Sequence, residues 1–275
     1  MKYAFLLLIM VTVVSVSGQT LKVMTYNIRY ATENDGVNAW SKRKGKVFDL
    51  LKRHDADIIG LQEALHGQIN DILDDVKGYD FVGVGRDDGK AAGEFSPLLY
   101  KKKLFTLLAQ NTFWLSETPD LPGSKNWDAA ITRVASWAKL KDKKSGRVFL
   151  VINTHFDHIG VEARRKSAEL LKVKAFELAG GLPVIILGDF NCTRQDPPYA
   201  VMIGDGNLKL ADTAPENSPG TYCTFEVNSV ECRAIDYIFY SEHWASSEYQ
   251  VISENDGKHY PSDHLPVTSK LSFKK

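Results

Sequence analysis

The run Val184-Ile185-Ile186-Leu187 ends abruptly in Gly188-Asp189-Phe190-Asn191, and this pattern constrains the chain more than any other. Aliphatic residues over a strand's length, closed by turn-forming Gly-Asp, describe a buried strand that delivers a carboxylate and an amide to its C-terminal end. The arrangement recurs. Val23-Met24-Thr25-Tyr26 leads to Asn27, and Ile58-Ile59-Gly60-Leu61 leads to Gln62-Glu63. Val148-Phe149-Leu150-Val151-Ile152 leads to Asn153-Thr154-His155-Phe156-Asp157, and Ile235-Asp236-Tyr237-Ile238 and Ser262-Asp263-His264 follow. One polar strand end is an ordinary turn. The ordered set places acids, amides and imidazoles where a divalent-cation hydrolase of phosphate esters needs them.

Strand-like and helix-like segments alternate without a low-complexity linker, which argues for a single domain over residues 19–275. Helical spacing relates Trp40, Val47, Leu50 and Leu51, and helices are also expected over Ala64 to Val76 and Val161 to Leu178. Strands are expected at Tyr79–Val84, Pro97–Tyr100, Leu104–Trp114, Val134–Lys141 and Arg147–Asn153, then near Val184, Ile235, Tyr249 and Val267. Ahead of them, Met1-Lys2, an apolar stretch from Ala4 to Val14 and Ser15-Val16-Ser17-Gly18 describe a signal peptide over residues 1–18. The mature protein is then exported, either periplasmic or secreted, and no stable membrane span is expected.

Lys+Arg and Asp+Glu both number 34, so the formal net charge is zero. That argues against a broad phosphate-neutralising surface, although a local basic patch would serve a transient nucleic-acid substrate. The lysine clusters, Lys101-Lys102-Lys103 and Lys139 to Lys144, read as solvated strand edge and turn, the first at the start of a strand. Cys223 and Cys232 flank a short polar stretch and could face each other across a hairpin. Cys192 follows Asn191 and needs no nucleophilic role.

Taken in order, Tyr26-Asn27-Ile28-Arg29, Leu61-Gln62-Glu63, Asn153-Thr154-His155, Gly188-Asp189-Phe190-Asn191, Ile235-Asp236-Tyr237 and Ser262-Asp263-His264 make the chain resemble the endonuclease/exonuclease/phosphatase superfamily. That group includes deoxyribonuclease I, apurinic-site endonucleases, neutral sphingomyelinases, inositol-polyphosphate phosphatases and deadenylases. The resemblance implies an α/β (α+β) fold of deoxyribonuclease I type: a four-layer α/β/β/α sandwich, two mixed sheets flanked by helices, with the site at one end. Periodicity alone equally allows a three-layer α/β domain.

The resemblance also distributes roles. Glu63 is the first candidate ligand for Mg²⁺ or Mn²⁺, with Asn27 and Asp263 as further ligands, directly or through water. Such a cation takes oxygen donors and keeps several waters. Asp189 matches the carboxylate that orients or deprotonates the attacking water, and Asn191 holds that water or a phosphate oxygen. His264 pairs with Asp236, and His155 pairs with Glu94 of Gly93-Glu94-Phe95 to protonate the leaving oxygen. Arg133, Arg29 and Asp157 are candidates for substrate binding, and Asp157 could equally just close its loop. Arg29 stands where apurinic endonucleases carry an acid, which favours one main metal site. The expectation is an exported, metal-dependent phosphoesterase. Its substrate is a phosphate mono- or diester: a sugar phosphate, a phospholipid headgroup or nucleic acid. The alternatives are a secreted nuclease of the same superfamily and a non-catalytic phospho-ligand-binding protein on the same fold.

Overall fold

The structure, a computed structural model, describes residues 20–228 and 231–274. The expected signal peptide lies outside the described residues. Strands β1 (Thr20–Asn27), β2 (Ile58–Gln62), β3 (Tyr79–Val82), β4 (Leu98–Lys101), β11 (Trp244–Val251) and β12 (Val267–Phe273) form one sheet, ordered β11-β12-β1-β2-β4-β3. Strands β5 (Phe105–Trp114), β6 (Val134–Asp142), β7 (Val148–His155), β8 (Val184–Asp189), β9 (Leu210–Asp212) and β10 (Asp236–Ser241) form the other, ordered β5-β6-β7-β8-β10-β9. Each sheet has one central parallel pair, β1 with β2 and β7 with β8, in otherwise antiparallel surroundings.

Alternation along the strands builds the layers. In β1, Leu21 and Val23 face the core between the sheets, while Met24 and Tyr26 face the helices α1 (Trp40–His54) and α2 (His66–Asp75). In β8, Ile185 and Leu187 face inward, while Val184 and Ile186 meet α3 (Val161–Ala179) and α4 (Pro197–Ile203). The buried stripe of α3 is largely alanine, Ala168, Ala175 and Ala179 around Leu171, which lets the helix lie close to its sheet. Both sheets are mixed and both outer faces carry helices, so the fold is the expected α/β/β/α sandwich.

Polar bonds join the sheets at the end where β1, β2, β7 and β8 terminate. Gln62 Nε2 donates to Asn153 Oδ1 (2.7 Å), and Asn153 Nδ2 donates to the carbonyls of Leu61 (2.7 Å) and Pro97 (2.9 Å). The approach is close enough to demand Gly60, where an added Cβ would lie 1.7 Å from Leu187 and 2.6 Å from Asn153 Oδ1.

One expectation about the chain needs correcting, and two short elements add to it. The lysine run 101–103 ends β4 rather than starting a strand. Lys101 is buried and its Nζ donates to Asp55 O (2.8 Å) and Asp57 Oδ1 (3.0 Å), so it is a structural cation. The sequence reading also did not separate α4 and β9, a seven-residue helix and a three-residue strand too short for a period to register. Cys223 and Cys232 form the expected disulfide, and Cys192 is free and buried. Among the described residues, no helix is long and apolar enough to cross a membrane.

Candidate active site

The ends of the central strands supply the site. Asn27 closes β1 and Glu63 follows β2, while His155 and Asp189 close β7 and β8. Asp236 opens β10 directly opposite Asp189 in the antiparallel ladder. Asn27 Nδ2 reaches across the sheets to Asp189 Oδ2 (3.0 Å) and along its own sheet to Glu63 Oε1 (3.1 Å). Ser262 Oγ donates to Asn27 O (2.8 Å), which seats Asp263 and His264 beside that strand end. Arg43 of α1, buried, braces this corner by donating to the carbonyls of Ile28 (2.7 Å), Arg29 (2.7 Å) and Pro261 (3.0 Å).

Arg29, Glu63 and Asn191 all have left-handed backbone, with φ of 54°, 59° and 47°. Asparagine tolerates this region, but arginine and glutamate do so at a cost on the order of 1–3 kcal/mol each. The contacts that hold them there belong to the site. Arg29 N donates to Asn27 Oδ1 (3.0 Å), Tyr30 N to Glu63 Oε2 (3.2 Å) and Asn191 N to Asp189 Oδ1 (2.9 Å). The result is a cleft of about 530 Å³ bordered by Glu63, Asp189, Asp263, His155, His264, Arg29 and Arg133.

Electrostatics divide the two imidazoles. His264 Nδ1 donates to Asp236 Oδ2 (2.9 Å), and its Nε2 lies 3.6 Å from Asp189 Oδ2. Burial alone would strip its proton, but the two carboxylates prevail and raise its pKa well above the ordinary value, so His264 is an imidazolium. Burial drives the His155 pKa the other way, reinforced by the positive charge of Arg133 and of His264. His155 is therefore neutral. Both donors of the Asn191 amide are engaged, by Phe156 O (3.0 Å) and by His155 Nε2 (3.0 Å), so that nitrogen accepts and the ring proton sits on Nδ1. Burial, with Asp236 nearby, pushes the Asp189 carboxyl up to about 7.

Not every candidate takes the place expected of it. Glu94 does not pair with His155. Its carboxylate is held by Arg86 Nη1 at 2.7 Å, and among the described residues His155 Nδ1 has no hydrogen-bond partner. Arg86, eight residues earlier in an irregular loop, takes the acid that the resemblance assigned to the histidine. Asp157 does not face the substrate either. Its oxygens accept the backbone N–H groups of Ala130 (3.1 Å), Ile131 (3.2 Å), Ile159 (2.9 Å) and Gly160 (2.7 Å). Burial opposes its charge, yet those N–H groups hold its pKa below the usual value. It closes the loop. Arg29 borders the cleft with its guanidinium clasped by Asp35 (3.2 and 3.1 Å). Arg133 is buried beside the cleft with Nη2 on His158 Nδ1 (3.1 Å). Sequence reasoning weighed His158 with Asp157 as a ligand or a loop residue and missed Arg86, Tyr30, Tyr222 and Arg233. For the last two, the adjoining Cys223 and Cys232 were the one available signal.

Two donor sets present themselves for a cation. Ligand atoms of Asp189, Asp236 and His264 lie within 4.8 Å of one another. However, Asp236 Oδ2 already accepts from His264 Nδ1 (2.9 Å) and Thr221 Oγ1 (2.6 Å), and a protonated imidazole has no lone pair to offer. Glu63 and Asp263 present oxygens at the cleft wall and suit a hard cation better. Burial raises the pKa of Asp263 against the pull of His264, and Glu63 adds to the rise, so the pair carries like charge that a cation would relieve. Asn27 turns Nδ2 towards the carboxylates and Oδ1 towards Arg29 N–H, so in this arrangement it offers the cleft donors and no oxygen.

Similarity to known proteins covers this whole frame. The chain is 38% identical to an endonuclease/exonuclease/phosphatase of Bacteroides vulgatus, over 93% of this chain and 100% of that one, with a TM-score of 0.85. It is also 38% identical to a mannosyl-6-phosphatase of Bacteroides thetaiotaomicron, over 92% of this chain and 100% of that one, with a TM-score of 0.85. Nocturnin of Drosophila melanogaster is 24% identical over 305 residues, 92% of this chain but 46% of nocturnin, so the chain spans about half of that relative's length. The model of the Endonuclease/Exonuclease/phosphatase family matches residues 24–264, from β1 to His264 itself. The chain belongs to that family of phosphoester hydrolases.

Proposed function

We propose that the chain is a divalent-metal-dependent phosphomonoesterase for small polar phosphates, sugar phosphates foremost, acting by in-line attack of an activated water. The observation that carries this reading is the cleft. A volume of about 530 Å³ lies within the ~300–1,000 Å³ usual for small-molecule sites. Its wall joins acidic oxygens to the guanidinium groups of Arg29, Arg133 and Arg233, while the chain as a whole is electroneutral. The similarity to the mannosyl-6-phosphatase supports the same substrate class. The leader-like residues 1–18 favour export, to the periplasm or beyond the cell.

Asp189 is the group suited to take the proton of the attacking water. Its raised pKa gives it basicity near neutral pH, and Asn27 Nδ2 and Asn191 N fix both of its oxygens. The His264 imidazolium, held in orientation by Asp236, stabilises the negative charge that grows on the phosphoryl oxygens. Arg133 and Arg29 add positive charge along the cleft wall. Neutral His155, held by Asn191, fixes the floor beside Asp189, with its Nε2 3.4 Å from Asp189 Oδ2. Mg²⁺ or Mn²⁺ at Glu63 and Asp263 would supply Lewis-acid polarisation of the phosphoryl group.

The test is hydrolysis by the purified protein of hexose 6-phosphates, ethyl phosphate, a bis-aryl phosphodiester, sphingomyelin, RNA and plasmid DNA. Sugar phosphates should be cleaved fastest. EDTA should abolish turnover, and excess Mg²⁺ or Mn²⁺ should restore it. Faster cleavage of RNA or DNA would replace this reading with the nuclease. Full turnover in chelator would remove the metal from it.

A further inference from the structure

Outside the reacting centre, a small ladder at the rim of the cleft stands out. Tyr222 bridges antiparallel to Arg233 on one side and to His264 on the other. With Arg233 it exchanges both backbone bonds, N to O at 2.9 Å and 3.0 Å. With His264 it exchanges none. There the flanking bonds, Cys223 N to Asp263 O (2.9 Å) and Leu265 N to Thr221 O (2.6 Å), mark a non-hydrogen-bonded pair. Side chains directly opposite each other in an antiparallel ladder share a face, and they approach most closely in a non-hydrogen-bonded pair. The rings follow this rule: Tyr222 and His264 have centroids 5.0 Å apart, and Arg233 Cζ lies 5.4 Å from the Tyr222 ring centroid. All three side chains border the cleft. They stand in a row from the imidazolium outward to an exposed guanidinium.

The row is pinned at both ends. Cys223 and Cys232, the next facing pair beyond Tyr222 and Arg233, are joined by the disulfide. At the other end, Thr221 Oγ1 donates to Asp236 Oδ2 (2.6 Å), the same oxygen that holds His264. The hairpin also packs closely on itself, since a Cβ at Gly220 would lie 2.3 Å from the Cys232 backbone. Tyr222 and Arg233 reach the cleft from this hairpin rather than from the strand ends that carry Asp189 and Glu63.

We propose that Tyr222 and Arg233 form the subsite that recognises the part of the substrate beyond the phosphate, with the Cys223–Cys232 disulfide fixing its register against His264. The occupant is a monosaccharide ring. Its hydroxyls accept hydrogen bonds from Arg233 and it packs against the half-buried Tyr222 side chain where that borders the cleft, while the phosphate stays at His264 and Asp189. This rests on the phosphomonoesterase reading and names what selects among phosphomonoesters.

The experiment compares mannose 6-phosphate with ethyl phosphate, both alkyl esters and only the first carrying a ring and hydroxyls. Arg233→Ala and Tyr222→Leu should each raise KM for mannose 6-phosphate about 3- to 10-fold more than KM for ethyl phosphate, as expected for loss of a partly exposed charge-assisted hydrogen bond or of the aromatic side chain that seats the guanidinium. The kcat values should fall much less than KM rises. Arg233→Lys should recover part of the loss, and the double variant Cys223→Ser/Cys232→Ser should show the same selective rise. Equal KM changes on the two esters would overturn the subsite, and so would a wild-type protein with no preference for mannose 6-phosphate. In both cases the phosphoesterase reading would stand. Hydrolysis of neither ester, with nucleic acid cleaved instead, would overturn that reading and the subsite with it.

Discussion

His264 and His155 are buried alike, at 4% and 5% exposure, and both stand at the edge of the same cleft, yet they carry opposite charge states. Asp189 lies near both rings, 3.6 Å from His264 Nε2 and 3.4 Å from His155 Nε2, but His264 also pairs with Asp236, whereas His155 has Arg133 beside it and an amide donating to its Nε2. Desolvation acts the same way on both rings, so the neighbours decide. The pair of imidazoles is thus a division of labour: a fixed positive charge on one side of Asp189 and a neutral spacer on the other. A resemblance that assigns both histidines an acidic partner does not contain this asymmetry.

The largest effect expected from it falls on His264. His264→Ala should slow hydrolysis of every phosphate ester by about 10²–10³-fold, the usual cost of losing one preorganised charge at a developing oxyanion. Steady-state kcat on ethyl and p-nitrophenyl phosphate decides this, and a loss confined to one leaving group contradicts it. Next comes pH. If Asp189 must be deprotonated, kcat/KM should fall about tenfold per unit below a pKa near 7, the direction in which burial and Asp236 move it. A flat profile between pH 5.5 and 8 in protein that stays folded would remove Asp189 as the base.

His155→Ala should cost about tenfold, and by a similar factor on alkyl and nitrophenyl esters. A neutral ring whose Nε2 already accepts from Asn191 has no proton there to give a leaving group. General-acid assistance, about 10²–10⁴-fold, would instead show as a far larger loss on the alkyl ester. That result would restore the protonated reading of His155.

Which parts of this were open to sequence reasoning follows from chemistry that repeats locally. His264 was legible only through the Ser262-Asp263-His264 word of the resemblance. Asp189, Asn191, Asn27 and Glu63 were legible because each closes an apolar run, and the turn chemistry that closes such a run is written beside it. The layered fold was legible for the same reason, since alternation in β1 and β8 sorts residues between the inter-sheet core and the helices. The partner of Glu94 was not. Arg86 lies in the irregular segment between β3 and β4, where no period relates one side chain to another. Asp157 was undecided because the stretch His155-Phe156-Asp157-His158 does not show how many backbone N–H groups will converge on a carboxylate. Tyr222 and Arg233 were marked only by the adjoining Cys223 and Cys232, because single-residue bridges have no run to announce them.

The smallest expected effect is thermodynamic, and it separates the two imidazoles without any substrate. The folded pKa of His155 lies below its unfolded value of about 6.5. Below pH 6.5 the unfolded chain binds the proton that the folded ring refuses. The stability contributed by neutral His155 is therefore fully present above about pH 6.5 and is lost as pH falls towards the folded pKa, by at most about 1.4 kcal/mol per unit. His264 has the opposite sign. Its folded pKa is raised, so its contribution is complete below about pH 6.5 and is lost only as pH rises through the folded pKa. Urea unfolding of the wild type, His155→Gln and His264→Gln from pH 5 to 9 reads both. The wild-type advantage over His155→Gln should shrink towards acid pH, and the advantage over His264→Gln should shrink towards alkaline pH. Buried carboxyls such as Asp189 titrate in all three proteins, so the differences between proteins, rather than the absolute curves, carry the comparison. Parallel dependences for the two variants would mean that the rings share one charge state, and the asymmetry across Asp189 would be lost.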